Sequence, residues 1–136
     1  MIFVDSNVAI DALDPDSPFH GWAQDRLADA LDGGVFFNHI VVAELAARAI
    51  SVEELQRMLD LLRIPVEPLT DEVAFRAGQA FKAWIRNGGR RGALLPDFVI
   101  GAHASVNGAR VLTRDPRRFR SYFPELDLIL PEPTND

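Results

Sequence analysis

Short apolar runs alternate along this chain with longer segments in which apolar residues recur every three or four positions. The short runs are IFV (2–4), VFFNHI (35–40), RVLT (110–113) and DLIL (127–130), and they predict four strands. Because these runs show little polar alternation, we expect strands that are covered on both faces, as in a parallel sheet.

The longer segments predict amphipathic helices with recognisable ends. Residues 17–31 stop before a pair of glycines, and Ser51 with Glu54 forms a capping box for a helix that ends by Pro65. Thr70 or Asp71 can cap a following helix. Further helical segments are predicted over residues 41–49, 71–86 and 97–108, together with a helical turn that begins at Pro116.

Strands that alternate with helices indicate an α/β domain around a mainly parallel sheet. The length of 136 residues suits one domain, which we place at 1–130, followed by a short tail at 131–136. In such sheets ligands bind at the carboxyl ends of the strands. Residues directly after a predicted strand are therefore the first candidates for function.

Composition narrows the class of protein. Cysteine is absent, which excludes a disulfide framework and a thiolate metal site. No basic segment followed by an apolar stretch opens the sequence, and no apolar run approaches the ~20 residues of a membrane span. We therefore expect a soluble, cytoplasmic protein.

The formal charge of −6 hides an uneven distribution. Residues 1–60 hold 11 acidic and 3 basic side chains, whereas residues 86–120 hold 8 arginines and 2 aspartates. Thirteen of the 14 basic residues are arginine, whose guanidinium can bind two phosphate oxygens at once. A GC-rich genome would produce the same preference for arginine over lysine. The basic segment keeps a nucleic-acid partner open despite the acidic total.

Four acidic residues follow or face the predicted strand ends. Asp5 follows the first strand, Glu44 lies in the first turn after the second, Asp97 opens a helix and Asp115 follows the RVLT strand. Each has an ordinary structural explanation, since carboxylates cap helices and favour their amino-terminal ends. Parallel topology, however, would bring all four to the same edge of the sheet.

Four carboxylates at one edge require compensation. Two like charges ~4 Å apart repel by about 4 kcal/mol at the effective dielectric near a protein surface. Mg²⁺ or Mn²⁺ relieves this repulsion and prefers oxygen ligands. The predicted ligands are Asp5, Asp97 and Asp115, with Glu44 binding directly or through water, and Ser6 and Thr113 would orient these carboxylates from behind.

A metal held in this way can polarise a phosphoryl oxygen and help to deprotonate an attacking water. The arginines that flank this edge are candidates for contacts to RNA phosphates: Arg114, Arg117, Arg118, Arg90 and Arg91. Solvated surface charge explains the same arginines. His39 and His103 are read as structural rather than as ligands, and the tryptophans and phenylalanines as core or interface anchors.

The motifs VDSNV around Asp5, VVAEL around Glu44, LLPDFVIGAHA around Asp97 and VLTRDPRRF around Asp115 resemble the PIN domain. The likeness is greatest to VapC-type toxin ribonucleases of bacterial toxin–antitoxin pairs and extends over nearly the whole chain. The resemblance implies a three-layer, Rossmann-like α/β/α fold and an endoribonuclease that depends on Mg²⁺ or Mn²⁺. It also implies that the four acids form the catalytic site with support from Thr113, and that the chain forms a homodimer and binds a small cognate antitoxin.

Other interpretations remain open at this point. A magnesium-dependent phosphatase of the haloacid-dehalogenase type is disfavoured, because Asn7 stands where that class needs a second aspartate. That class also uses a lysine late in the chain, whereas the only lysine, Lys82, lies inside a predicted amphipathic helix. A PIN-like module that binds metal or a partner without catalysis is a second alternative. Spacing alone does not separate an RNA nuclease from a DNA nuclease.

Overall fold

One parallel sheet organises the chain, for which a computed structural model describes residues 1–89 and 95–132. Its strands are β1 (Ile2–Val4), β2 (Val35–Phe36), β3 (Arg110–Leu112) and β4 (Leu128–Ile129). They lie in the order β2-β1-β3-β4, and each neighbouring pair is parallel. With helices flanking this sheet, the predicted α/β fold class is confirmed.

Six helices of the described residues flank the sheet, and most lie where the periodicity predicts them. None of these helices is long and apolar enough to cross a membrane. They are α1 (Ser6–Leu13), α2 (His20–Ala30), α3 (His39–Ala46), α4 (Val52–Leu62), α5 (Asp71–Arg86) and α6 (Leu95–Val106), and a 3₁₀ turn follows at Pro116–Arg118.

The predicted strand at 35–40 is too long. Only its first two residues pair with β1, and Phe37 forms an isolated bridge to Val66. Asn38 ends the extended segment, because its side-chain oxygen accepts hydrogen bonds from the N–H groups two and three residues ahead and so caps α3. Since α3 begins at residue 39, Glu44 lies in its second turn rather than its first.

Side-chain caps start the helices of the middle of the chain. The Ser51 hydroxyl accepts a hydrogen bond from the Glu54 N–H at 3.1 Å, and the Thr70 hydroxyl accepts one from the Val73 N–H at 3.2 Å. Both caps were predicted from sequence. Helix α4 ends with Arg63 in the left-handed conformation, at φ 56°, two residues before the proline.

Helix α2 begins three residues later than its apolar pattern predicts. The Ser17 hydroxyl accepts a hydrogen bond from the Phe19 N–H at 3.1 Å and donates one to Asp11 at 2.8 Å. These bonds hold the residues before His20 as a turn.

The strand order creates a crevice at one edge of the sheet. From β1 the chain passes to β2 on one side, and later returns to β3 on the other side. The Asp5 N–H donates to the Leu112 carbonyl at 3.0 Å, so the residues that follow β1 and β3 leave the sheet side by side. Such a switch point is where open α/β sheets bind ligands.

Two apolar clusters surround this frame. The larger includes Phe3, Phe36 and Phe37 and packs on the sheet, with Trp22 partly buried against it. The smaller lies between α5 and α6, where Phe98 packs with Phe81 and Trp84 among others. These aromatic side chains belong to the core, as predicted.

Helix α6 approaches the end of the chain closely at Gly101. A Cβ atom added to this residue would lie 2.5 Å from the ring of Phe123, which is itself buried. Real Cβ contacts are not this short, so only glycine lets α6 pack against this ring. The exposed Gly78 in α5 has no such neighbour.

A buried hydrogen bond joins α3 to α6. The Asn38 side-chain amide lies 3.0 Å from Nδ1 of His103, and both side chains are almost fully buried. Burial lowers the pKa of His103 below its ordinary value, so the ring is neutral and Nδ1 accepts from the amide. His103 therefore has the structural role that its position on a helix suggested.

The close approach at Gly101 predicts opposite effects for two glycine substitutions. Gly101→Ala should lower the free energy of unfolding by about 1–3 kcal/mol, because the methyl group overpacks against Phe123. Gly78→Ala should raise it by about 0.5–1 kcal/mol, because alanine has the higher helix propensity and meets nothing. Urea unfolding followed by circular dichroism measures both. A Gly101→Ala protein as stable as Gly78→Ala would contradict the packing.

The neutral state of His103 predicts a loss of stability in mild acid. Below about pH 6.5, the ordinary pKa, the unfolded chain binds a proton that the folded chain resists, so the free energy of unfolding falls as pH is lowered towards the folded pKa. The slope should approach about 1.4 kcal/mol per pH unit in that window. Urea unfolding between pH 7.5 and 5 should show a shallower slope for His103→Gln than for the wild type, and equal slopes would contradict a neutral, buried His103.

Candidate active site

Asp5 occupies the centre of the crevice, directly after β1, and is fully buried. Its Oδ1 accepts a hydrogen bond from the Ser6 N–H at 2.8 Å. Its Oδ2 accepts one from the Thr113 hydroxyl at 2.7 Å and one from the Asn7 amide at 3.2 Å. These donors fix the orientation of a carboxylate that has no access to solvent.

Two further acids reach the same place from helices. Glu44 projects from α3 and accepts a hydrogen bond from the Ser6 hydroxyl at 3.1 Å. Asp97 lies in the first turn of α6, just after Pro96, and is almost fully buried. The amino-terminal end of a helix favours a carboxylate at that position.

A single guanidinium group joins these three acids. Arg118 donates from Nε to Asp97 at 2.6 Å and from Nη1 to Asp5 at 2.6 Å. Its Nη2 lies 3.3 Å from both carboxylate oxygens of Glu44. Three predicted site residues that are far apart in sequence therefore converge on one point.

Asp115 lies at the rim of this group, and its side chain is 47% exposed. Its carboxylate accepts a hydrogen bond from the Arg117 N–H at 3.2 Å and caps the 3₁₀ turn. Its own N–H donates to the Thr113 hydroxyl at 3.0 Å, and that hydroxyl in turn donates to Asp5. Asp115 is thus linked to the other acids through Thr113.

Burial and charge oppose each other at this site. Burial raises the pKa of Asp5 above its ordinary value, while the Arg118 guanidinium and the Thr113 hydroxyl act in the other direction. Burial alone would lower the pKa of Arg118, but Asp5, Asp97 and Glu44 together raise it. The guanidinium is therefore charged at any physiological pH. Three ionised carboxylates around it would carry two negative charges more than it compensates.

Only part of the arginine cluster is free for other contacts. Arg114 pairs with the buried Asp11, and its guanidinium lies 4.5 Å from the centre of the Phe19 ring. Arg117 is 96% exposed beside Asp115. The other two predicted RNA contacts, at positions 90 and 91, fall outside the described residues.

Two contributions to the site were not predicted from sequence. Asn7 joins the ends of β1 and β3, because its amide donates to Asp5 and its Oδ1 accepts from the Arg114 N–H at 3.1 Å. Arg118 was considered only as a phosphate contact, yet it lies among the carboxylates. The one local signal for Asn7 is its place two residues after Asp5.

The donor set fits a hard divalent cation, because it consists of carboxylate oxygens at a strand switch point and carries excess negative charge. The spacing of these side chains, in contrast to their chemistry, does not match a preformed metal site. Among residues 1–89 and 95–132, no three acidic or histidine side chains lie close enough to hold a metal ion together. Arg118 occupies the point where Asp5, Glu44 and Asp97 meet.

The described contacts of the histidines lie elsewhere. His103 bonds to Asn38 in the core, and His39 is exposed at the first residue of α3. His20 lies 2.9 Å from the Asp11 carbonyl through Nδ1. The chemistry of the crevice is therefore that of carboxylates and one arginine.

Solved structures with the same fold come from bacterial toxin–antitoxin systems. The VapBC2 complex of Rickettsia felis, bound to a DNA fragment from its promoter, is 21% identical, with a TM-score of 0.76 over 97% of this chain and 100% of that chain. DNA-bound VapBC from Salmonella typhimurium is 21% identical, with a TM-score of 0.72 over 94% and 96% of the two chains.

A third structure of the same fold is Mycobacterium tuberculosis VapC20, described as a toxin that cleaves the sarcin-ricin loop. It is 21% identical, with a TM-score of 0.60 over 81% of this chain and 85% of that chain. No curated protein sequence matches the chain. The family model described as the PIN domain matches residues 2–123. Since this match spans most of the 136 residues, the chain belongs to the PIN domain family.

Proposed function

We propose that this PIN domain is an endoribonuclease dependent on Mg²⁺ or Mn²⁺, the toxin of a VapC-type toxin–antitoxin pair. The observation that carries the proposal is the meeting of Asp5, Glu44 and Asp97 at the carboxyl edge of the sheet. A purely structural role would not require three acids around one point, because each buried carboxylate costs desolvation energy. VapC-type PIN domains are ribonucleases, which agrees with this chemistry.

The residues proposed to hold the cation are Asp5, Asp97 and Asp115, with Glu44 binding directly or through water. A bound cation would polarise the scissile phosphodiester and lower the pKa of an attacking water. Hydrogen bonds within the chain orient two of the proposed ligands before any cation binds. The Thr113 hydroxyl donates to Asp5 and the Ser6 hydroxyl donates to Glu44. Both carboxylates are therefore already oriented when a cation binds.

RNA is the proposed substrate because the structural neighbour VapC20 is described as a toxin that cleaves the sarcin-ricin loop. Arg117 is the best placed of the described arginines for a phosphate, since its side chain is almost fully exposed beside Asp115. Arg114 is a weaker candidate, because it already pairs with Asp11.

A small antitoxin is the proposed partner, since several solved neighbours are complexes of a toxin with its antitoxin. A homodimer is proposed on family resemblance, together with exposed apolar side chains such as Ile50 and Leu61 that are available for association. With an RNA substrate and a bacterial antitoxin, the protein would act in the cytoplasm.

The proposal predicts that Asp5→Asn abolishes cleavage. Loss of one carboxylate from the metal site should reduce the rate by about 100-fold or more, since even residues that only orient ligands are worth about 10–100-fold. Cleavage of a structured RNA in the presence of Mn²⁺, followed on denaturing gels, measures the rate. The matched control is Asp60→Asn, which removes an exposed carboxylate from α4 and should cleave like the wild type.

Two additional arms separate the alternatives. A DNA strand of the same sequence distinguishes an RNA nuclease from a DNA nuclease, and a generic phosphomonoester tests for a phosphatase. Equal RNA cleavage by wild type and Asp5→Asn would mean that the activity comes from a contaminant. A folded protein that binds Mn²⁺ but cuts neither nucleic acid would favour the interaction module.

The hydrogen bond from Thr113 to Asp5 predicts a graded effect at a residue that need not touch the metal. Thr113→Val keeps the shape but removes the hydroxyl, and should slow RNA cleavage by about 10–100-fold. Thr113→Ser keeps the hydroxyl and should restore most of the rate. If both variants cleave RNA equally well, the hydroxyl does not position Asp5 for catalysis.

A further inference from the structure

We propose that Arg118 is a built-in counter-ion of the acidic site, and that a divalent cation enters only by displacing its guanidinium. The inference rests on the proposed function, because it concerns the metal site of that function. Arg118 thereby competes with the cation for the carboxylates, a role distinct from the phosphate contact that its position in a basic segment suggests.

The first argument is geometric. Three different nitrogens of one planar group face three different carboxylates, at 2.6 Å for Asp97, 2.6 Å for Asp5 and 3.3 Å for Glu44. The guanidinium thus takes the position from which all three acids are reached at once. Arginine is the side chain suited to this, because its five donors form a rigid fork and its charge persists at all relevant pH values.

The second argument comes from burial. The side chain of Arg118 is 12% exposed, whereas that of Arg117, its neighbour on the same turn, is 96% exposed. Burying a charged side chain is unfavourable unless it is paired. Arg118 is therefore held in place by the carboxylates, and without a metal it supplies the compensation that they need.

The third argument is mutual exclusion. Mg²⁺ binds oxygen ligands at about 2.0–2.1 Å, in near-octahedral geometry. A cation bound to Asp5 and Asp97 would compete with the guanidinium for the same carboxylate oxygens, and the two positive charges would repel each other. In the part of the chain that the structure describes, no three acidic or histidine side chains are spaced to hold a metal ion.

The position of Arg118 allows it to leave. It is the last residue of a short 3₁₀ turn, Pro116–Arg118, at the rim of the crevice, so its long side chain can rotate outwards while the strands stay in place. Thr113 and Asn7 would keep Asp5 oriented during the exchange, since both bond to its other oxygen. A cation binds the state in which Arg118 has left the acids, so metal binding shifts the side chain towards that state.

The exchange predicts that removing Arg118 tightens metal binding. Isothermal titration calorimetry with Mn²⁺ alone, without RNA, should give a dissociation constant at least tenfold lower for Arg118→Ala than for the wild type. Arg110→Ala is the matched control, because it removes the same charge from the start of β3, where Arg110 pairs with Asp127 at the end of the strand away from the proposed ligands. Its dissociation constant should change no more than about threefold, the effect of a screened surface charge.

A second readout uses thermal unfolding. In EDTA, Arg118→Ala should melt below Arg110→Ala, because three carboxylates lose their counter-ion. Added Mn²⁺ should raise the melting temperature of Arg118→Ala more than that of the wild type. Arg118→Gln, which is neutral and of similar length, gives the same test if Arg118→Ala does not fold.

Two results would overturn the proposal in different ways. Equal Mn²⁺ affinity in wild type, Arg118→Ala and Arg118→Gln, or weaker binding in both Arg118 variants, would refute the exchange and leave the metal site standing. Absence of Mn²⁺ binding in every folded variant would refute the metal-dependent function itself, and the exchange with it.

Discussion

The compensation of buried negative charge at the carboxyl edge of the sheet is the constraint on which the site depends. Asp5 has no exposed surface, and burial raises its pKa, so a bare cluster with Glu44 and Asp97 would be unstable or partly protonated. Arg118 resolves this with one group shared by all three acids. The ordering of the rim follows from the same charge, because Arg118 connects the 3₁₀ turn to α3 and α6.

The parallel sheet explains why these acids meet. β1 lies between β2 and β3, so the segments that follow these strands leave the sheet around a common crevice. The residues that cap the following elements are then held against one another, as when the Thr113 hydroxyl links the Asp5 carboxylate to the Asp115 N–H. Asp5 and Asp115 cap the elements that follow them while they lie at the crevice, so a capping role is compatible with the catalytic role proposed for them.

Local signals accounted for much of the fold. The capping residues Ser51 and Thr70 and the apolar strands depend on neighbours within a few positions, so they could be predicted. The extent of β2 could not, because VFFNHI has the composition of a strand throughout. Only the pairing with β1 and the cap formed by Asn38 end the strand after Phe36.

What the sequence by itself determined is the order of the elements and the placement of four acids at the ends of strands or the beginnings of helices. Tertiary structure alone decided which charges meet. Arg118 and Asp5 are 113 positions apart, Arg114 and Asp11 are 103 apart, and His103 and Asn38 are 65 apart. An arginine in a basic segment has the same local pattern whether it faces solvent, as Arg117 does, or enters the site, as Arg118 does. The physical reason is that pairing energy depends on burial and distance, and both are set by the packing of remote elements.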